Sequence, residues 1–292
     1  GLVIDLFRHY FVQLVDKHID HLMVCRLDLF LVQLDENKLT VHKLKKSSCR
    51  IEGVFMAQSG GVSREHERSL LQKCVFAALH LICVLLSIWL LLGGGWVRVG
   101  AWFGLELTLA DPQRGLLLLA CTLLYFARHM LTLFYLLARK VAFPEVFGLG
   151  AFIAFFVIGF LLLGSGAFRQ AAVPLSVLDG VALAMVVGGS FLNSWSELQR
   201  KWWKRDPAHH GQCYTGGLFA SAMHINYFGD TVLFTGWALL THNLAALAVP
   251  AFMAVSFVVF HIPALDAYLS RRYGPQFDTY AARTHKFIPF VY

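Results

Sequence analysis

This sequence is short of charge. Asp, Glu, Lys and Arg make up only 15% of its 292 residues, against about 25% in a soluble globular domain. A soluble fold is therefore the wrong class. The six cysteines (Cys25, Cys49, Cys74, Cys83, Cys121, Cys213) form no C-x-x-C pair, and three fall in apolar runs. That argues against a zinc site or a disulfide framework and for small buried side chains. H-x-x-H occurs once, at His18 and His21, while His209-His210 stands apart. Di-iron chemistry needs several such clusters, because imidazole suits iron, so no metal is expected. Gly93-Gly94-Gly95 lacks a following Lys-Ser/Thr and reads as a turn, not a phosphate loop. No N-x-S/T glycosylation acceptor is present. The first 20 residues have no clean apolar core, which predicts no cleavable leader there. The chain opens on Gly1 rather than Met, as a fragment or an incomplete gene model would.

What remains is apolar length. Hydrophobic residues reach 57%, and the mean hydropathy is +0.60. Runs long enough to cross about 30 Å of hydrocarbon as helices lie near 74–92, 115–138, 146–163, 173–192, 217–241 and 244–262. The expected fold is an all-α polytopic membrane bundle with six spans. Segment 96–110, which carries Arg98 and Glu106, is short and fits either a seventh span or a half-buried helix. Residues 1–70 are richer in charge and end near Ser59-Gly60-Gly61. They read as a polar region of unknown role ahead of a membrane domain over 71–292.

The net charge of +7 is dispersed at span ends instead of gathering on one face. Such dispersal fits membrane topology better than a nucleic-acid surface. Arg139, Lys140, Arg200, Lys201, Lys204, Arg205, Arg271, Arg272, Arg283 and Lys286 share one side, which the positive-inside rule assigns to the cytosol.

Polar residues inside such a chain need a reason, because hydrocarbon penalises them. Asn193, Glu197, Arg200 or Lys201, and Lys204 recur at i, i+4, i+7/8 and i+11, one face of a helix. The cations suit a phosphorylated ligand or, more simply, lipid headgroups; the amide and carboxylate favour a ligand. Asn226 and Asp230 share a face beside Tyr227. They could hydrogen-bond a ligand or fasten two helices together. Upstream lie Trp102 and Glu106 at i, i+4, and Tyr125, Arg128 and His129 within one span. A desolvated Glu beside a Tyr can donate a proton to a carbonyl; a Glu–Arg helix fastening is the plainer reading.

The last hundred positions resemble the catalytic domain of the steroid 5α-reductase family. That family is related to sterol reductases and, more distantly, to isoprenylcysteine methyltransferases. The resemblance rests on Asn193-x-x-Ser196-Glu197, Gly216-Gly217-Leu218-Phe219, Asn226-x-x-Gly229-Asp230, and Tyr273 with Tyr280 ahead of Phe287-Ile288-Pro289-Phe290. It reaches upstream to Trp102, Glu106, Tyr125 and Arg128. The chain departs from the related sterol reductases at Ile225, where they carry Pro, and at 261–266, where an expected Arg is missing.

The resemblance implies NADPH held by Asn193, Glu197, Lys204, Asn226, Asp230 and Tyr273, with Glu106 and Tyr125 on a substrate carbonyl. The implied reaction is reduction of a carbon–carbon double bond conjugated to that carbonyl, in a steroid or other lipid. The implied setting is the endoplasmic reticulum membrane, with the cofactor side cytosolic. A membrane methyltransferase using S-adenosylmethionine and a non-catalytic protein retaining the fold are the alternatives.

Overall fold

The computed structural model describes residues 66–169 and 171–292. Apart from 66–70, the polar N-terminal region lies outside the described residues. Within them the regular structure is helical, and the chain is an all-α multi-pass membrane protein. Five segments are long and apolar enough to cross a bilayer: Leu70–Leu92 (α1), Pro112–Leu136 (α3 and the π turn that ends it), Phe143–Gly164 (α4), Val177–Trp203 (α5) and Leu244–Tyr273. The last is assembled from a 3-10 turn, α7 (Ala248–Ser256), a π turn and α8 (Ile262–Tyr273). A short helix, α9 (Pro275–Arg283), follows.

The structure decides one open choice about the spans and corrects one expectation. Segment 96–110 is the half-buried helix of the two alternatives and not a seventh span, because its helix α2 covers only Gly95–Trp102, about 12 Å at 1.5 Å per residue. The run 217–241, expected as a span, is not one helix. It divides into a 3-10 turn, Gly217–Ala220, and α6, Ile225–Leu240. The cause is tertiary: the amides of Met223 and His224 donate to the carbonyls of His285 and Lys286 at 2.7 and 2.9 Å. These residues pair with the C-terminal tail and do not extend a helix.

Local chemistry sets the helix starts. Asp111 caps α3 by accepting from the Arg114 amide at 3.2 Å, with Pro112 in the first turn. Ser176 and Asp179 form a reciprocal capping box at the start of α5. Gly93 to Gly95 form the turn between α1 and α2, with Gly94 at φ 69°.

The same two carboxylates fasten one end of the bundle. Arg114 is 0% exposed and is bound by Asp111 (3.1 Å) and Asp179. It also donates to the carbonyls of Leu240 and Val173, each at 3.0 Å. One guanidinium thus joins the start of α3, the approach to α5 and the end of α6. Fourteen residues further along α3 lies Arg128, about 21 Å away, and it meets Asp230 near the start of α6. With only 16 residues, about 24 Å, α6 is shorter than the five spanning segments and runs between these two polar layers.

Helices α5 and α6 touch backbone to backbone. A Cβ on Gly189 would lie 2.4 Å from the Gly229 carbonyl oxygen, and one on Gly236 would lie 2.5 Å from that of Ala182. Small residues at such crossings permit close packing where no hydrophobic drive separates helix from lipid. Beside this pair, Tyr125, Phe156, Phe160, Phe234 and Trp237 form an aromatic core, with Phe156 and Phe234 edge to face at 4.7 Å. Many large apolar side chains point outward, among them Ile82, Leu85, Val181 and Val187, as lipid contact requires.

Candidate functional site: a polar ladder at one membrane edge

Helix α5 is 27 residues long, about 40 Å, so its last turns project past a 30 Å hydrocarbon layer. Asn193, Glu197, Arg200 and Lys204 climb one face of this projecting end. The α6 face opposite carries Asn226 and Asp230, and the glycine crossing brings the two faces within hydrogen-bonding reach.

The lowest rung is in the membrane. Arg128 Nη2 lies 2.7 Å from Asp230 Oδ1, with side-chain exposures of 11% and 18%. Asn193 Nδ2 donates to Asp230 Oδ2 and to the Asn226 carbonyl, each at 3.0 Å. Asn226 Nδ2 in turn donates to Glu197 Oε1 at 3.2 Å. Glu197 forms an ion pair with Arg200. At the top, Lys204 Nζ donates to the Tyr273 hydroxyl at 2.8 Å. All six residues that the resemblance assigned to the cofactor therefore stand in this ladder or at its head.

Several buried polar atoms along it have no hydrogen-bond partner among the described residues: Arg128 Nε and Nη1, Ser190 Oγ and Ser194 Oγ. Buried donors and acceptors are nearly always satisfied, so this group of atoms marks where a polar ligand could bind.

The two upstream residues separate. Tyr125 stays with the ladder: the Arg128 guanidinium lies 5.2 Å from its ring centre, and Phe234 and Trp237 pack around it. Glu106 does not. It is exposed on the loop that precedes α3, while Tyr125 sits thirteen residues into that helix, about 20 Å along it. The Glu106–Arg128 fastening considered from sequence is replaced by Arg128–Asp230. A mid-span Arg calls for a mid-span acid, and Asp230 is the acid at matching depth on α6.

Sequence reasoning missed further supports. His224, 1% exposed, places Nε2 at 2.8 Å from Asp266 Oδ1 and so anchors the start of α6 to α8. Asp266 thus has a task in the stretch where an Arg was expected. Gln199 Oε1 accepts from the Leu218 amide at 3.1 Å, tying α5 to the Gly216-Gly217 bend. His80 and His129 bring their Nδ1 atoms to 2.8 Å beneath Tyr125.

Outside the spans a cleft of about 440 Å³ is lined by Cys213, Thr215, Pro275, Gln276, Thr279 and Arg283. Burial pushes the Cys213 thiol up, opposed by Lys204 and Arg200, and Cys213 packs against the same cluster as Tyr273, at the head of the ladder. Burial also raises Tyr214 and Tyr280. Tyr280 donates its hydroxyl proton to the Phe219 carbonyl at 2.6 Å.

A family model described as "Protein of unknown function (DUF1295)" matches residues 126–284, over half of the chain and nearly all of the ladder. The chain belongs to this family. A relative from Ustilaginoidea virens, described as "Probable O-methyltransferase ustE", is 36% identical over 86 residues. That match covers 28% of this chain and 30% of the relative.

Proposed function

We propose that this DUF1295 protein is an NADPH-dependent reductase of a carbon–carbon double bond conjugated to a carbonyl, acting on a steroid or other lipid. It would work in the endoplasmic reticulum membrane and take its cofactor from the cytosol. The observation that carries this reading is the ladder itself, which runs from a cation-rich edge to a buried Arg–Asp pair beside a phenol.

The residues fit an elongated, anionic, hydrogen-bonding ligand. Lys204 supplies positive charge at the head, where phosphates would bind, with Arg200 beside it already paired to Glu197. Glu197, Asn226 and Asn193 supply alternating acceptors and donors suited to ribose hydroxyls and a carboxamide. Arg128 keeps two buried N–H groups without partners. These residues would hold NADPH, whose chemistry there would be hydride donation to the β-carbon of the double bond.

The chain's own part is orientation and polarisation. Tyr125 is the one phenol in the buried rung and takes the role of donor to the substrate carbonyl oxygen. The aromatic core around it keeps water from the reacting centre. Glu106 has no part in this reading, because its loop lies at the far end of α3.

Methyl transfer from S-adenosylmethionine is the second reading, favoured by the O-methyltransferase relative. That cofactor carries no phosphate and makes no use of the cationic head. Titration of the purified full chain in detergent with each cofactor separates the readings. NADPH should bind, and Lys204→Ala should weaken it by up to about fivefold, the upper value of one surface ion contact. Binding of S-adenosylmethionine alone would transfer the assignment to methyl transfer. Binding of neither would leave a non-catalytic membrane protein that keeps the fold.

A further inference from the structure

The ladder uses one face of α5. One residue further round, Lys201 and Arg205 share a different face at i, i+4, and the ladder does not use them. They meet the π turn Thr132–Leu136 at the end of α3. Lys201 Nζ donates to the Tyr135 carbonyl, and its charge sits 4.2 Å from the centre of the Tyr135 ring. Arg205 Nη2 donates to the Tyr135 hydroxyl at 2.6 Å. From α1, Lys73 Nζ donates to the Leu137 carbonyl at 2.6 Å.

These three cations are bonded only to neutral oxygens among the described residues. The end of a helix offers them about half a negative charge, so most of their positive charge is uncompensated. Lys73 is only 6% exposed and also faces repulsion from Lys201 and Arg139. Arg139 itself is neutralised by Glu145. The protein has thus concentrated like charge at a partly desolvated point, which is costly without a counter-ion.

A second observation points the same way. The Tyr135 hydroxyl oxygen accepts from both Arg205 and Trp202 Nε1, the latter at 3.1 Å. Two donors aimed at one phenol oxygen leave its own proton directed elsewhere. That hydroxyl lies at the exposed edge of the cation cluster, where its proton can be given to a bound phosphate oxygen.

We propose that Lys73, Lys201, Arg205 and the Tyr135 hydroxyl form a binding site for the phosphate of an anionic phospholipid. What commits the site to a lipid is its flank. Trp202, Trp195 and Phe191 run down the outside of α5 as an exposed aromatic stripe, with Phe191 stacked on Trp195 at 5.8 Å and Trp195 edge-on to Trp202 at 5.6 Å. Aromatic side chains of this kind settle at the headgroup boundary, and a cation cluster between membrane helices at that depth recognises anionic headgroups. The acyl chains would lie along the stripe. This proposal is independent of the reaction assigned to the ladder.

The test is thermal unfolding of the full chain in neutral detergent with added phosphatidic acid, phosphatidylcholine or inorganic phosphate. Phosphatidic acid should raise the unfolding midpoint in a saturable manner, while the other two should not. Lys201→Gln with Arg205→Gln should weaken the apparent lipid affinity by about fivefold per charge removed. If the double variant does not fold, Arg205→Gln alone should show the single fivefold loss, since Arg205 is exposed. Lys204→Gln, on the ladder face, should leave the lipid response intact. Equal stabilisation by phosphatidylcholine, or an unchanged response in the Arg205 variant, would overturn the proposal. A shift by inorganic phosphate equal to that by the lipid would make this a free-anion site and overturn the lipid assignment.

Discussion

Replacing Asp230 with Asn tests whether the buried rung is a ligand site or only a fastening. The substitution keeps the side chain's shape and an oxygen to accept from Asn193 Nδ2, now 3.0 Å away. It removes the counter-charge 2.7 Å from Arg128. Arg128 would then be a guanidinium nine-tenths buried among helices, with Nε and Nη1 already lacking partners. Removing one partner of a buried ion pair costs about 3–5 kcal/mol, and a lone Arg at mid-membrane depth costs about 2.5–3.5 kcal/mol on insertion scales. These agree on roughly 3 kcal/mol. Arg128→Met should cost a similar amount, because it leaves the Asp230 carboxylate without its cation although the Asn193 amide still donates to it. The double variant, Arg128→Met with Asp230→Asn, should recover a coupling energy of about 0.5–3 kcal/mol. Unfolding in mixed detergent micelles, followed by helicity, measures all four corners of this cycle. NADPH titration of the same samples adds the decisive contrast. A fastening role predicts that the double variant recovers both stability and cofactor binding. A ligand role predicts recovered stability with binding still lost. An Asp230→Asn protein that unfolds at the wild-type midpoint would refute the premise that Arg128 depends on this carboxylate.

Two further outcomes follow from the opposite layer and from the tail. Arg114→Ala leaves Asp111 and Asp179 buried without their shared cation, so stability in the same micelle assay should fall by about 3–5 kcal/mol; an unchanged midpoint would show that the helix ends do not depend on it. Tyr280 has its proton affinity raised above the ordinary 10.0 by burial, so the folded protein holds this proton more tightly than the unfolded chain. Its contribution is complete below about pH 10 and declines as pH rises from there towards the folded value, by up to about 1.4 kcal/mol per pH unit. Tyr280→Phe should flatten this alkaline decline, and an equally steep decline in the variant would assign it to other groups.

Five of the six expected spans were legible because length and apolarity alone define them. The ladder's α5 side was legible too, since i, i+4, i+7 and i+11 is a property of one helix. What sequence could not show was anything decided between helices. The break at 221–224 depends on hydrogen bonds from Met223 and His224 to the distant tail, and an apolar run carries no trace of them. Glu106 looked like Tyr125's companion because both are polar residues in apolar surroundings. Depth along α3, not separation in sequence, decides which residues meet. The cation acceptor Tyr135 was invisible for a similar reason: only the π turn at the end of α3 turns its carbonyl and hydroxyl towards α5.

The glycine crossing connects packing to chemistry. An Asn side chain is short, so Asn193 can reach the Asn226 carbonyl and Asp230 only if α5 and α6 nearly touch. Gly189 and Gly229 permit that contact one turn from the ladder: a Cβ on Gly229 would lie 2.8 Å from the Asn193 amide nitrogen. Ordinary helix pairs stand 8–10 Å apart because side chains intervene, and at such a separation Asn193 would bond to one neighbour at most. The small residues in this membrane pair therefore do more than pack. They set the spacing at which a single amide can hold the Asn226 backbone and the Asp230 carboxylate together, and thereby fix Asp230 against Arg128.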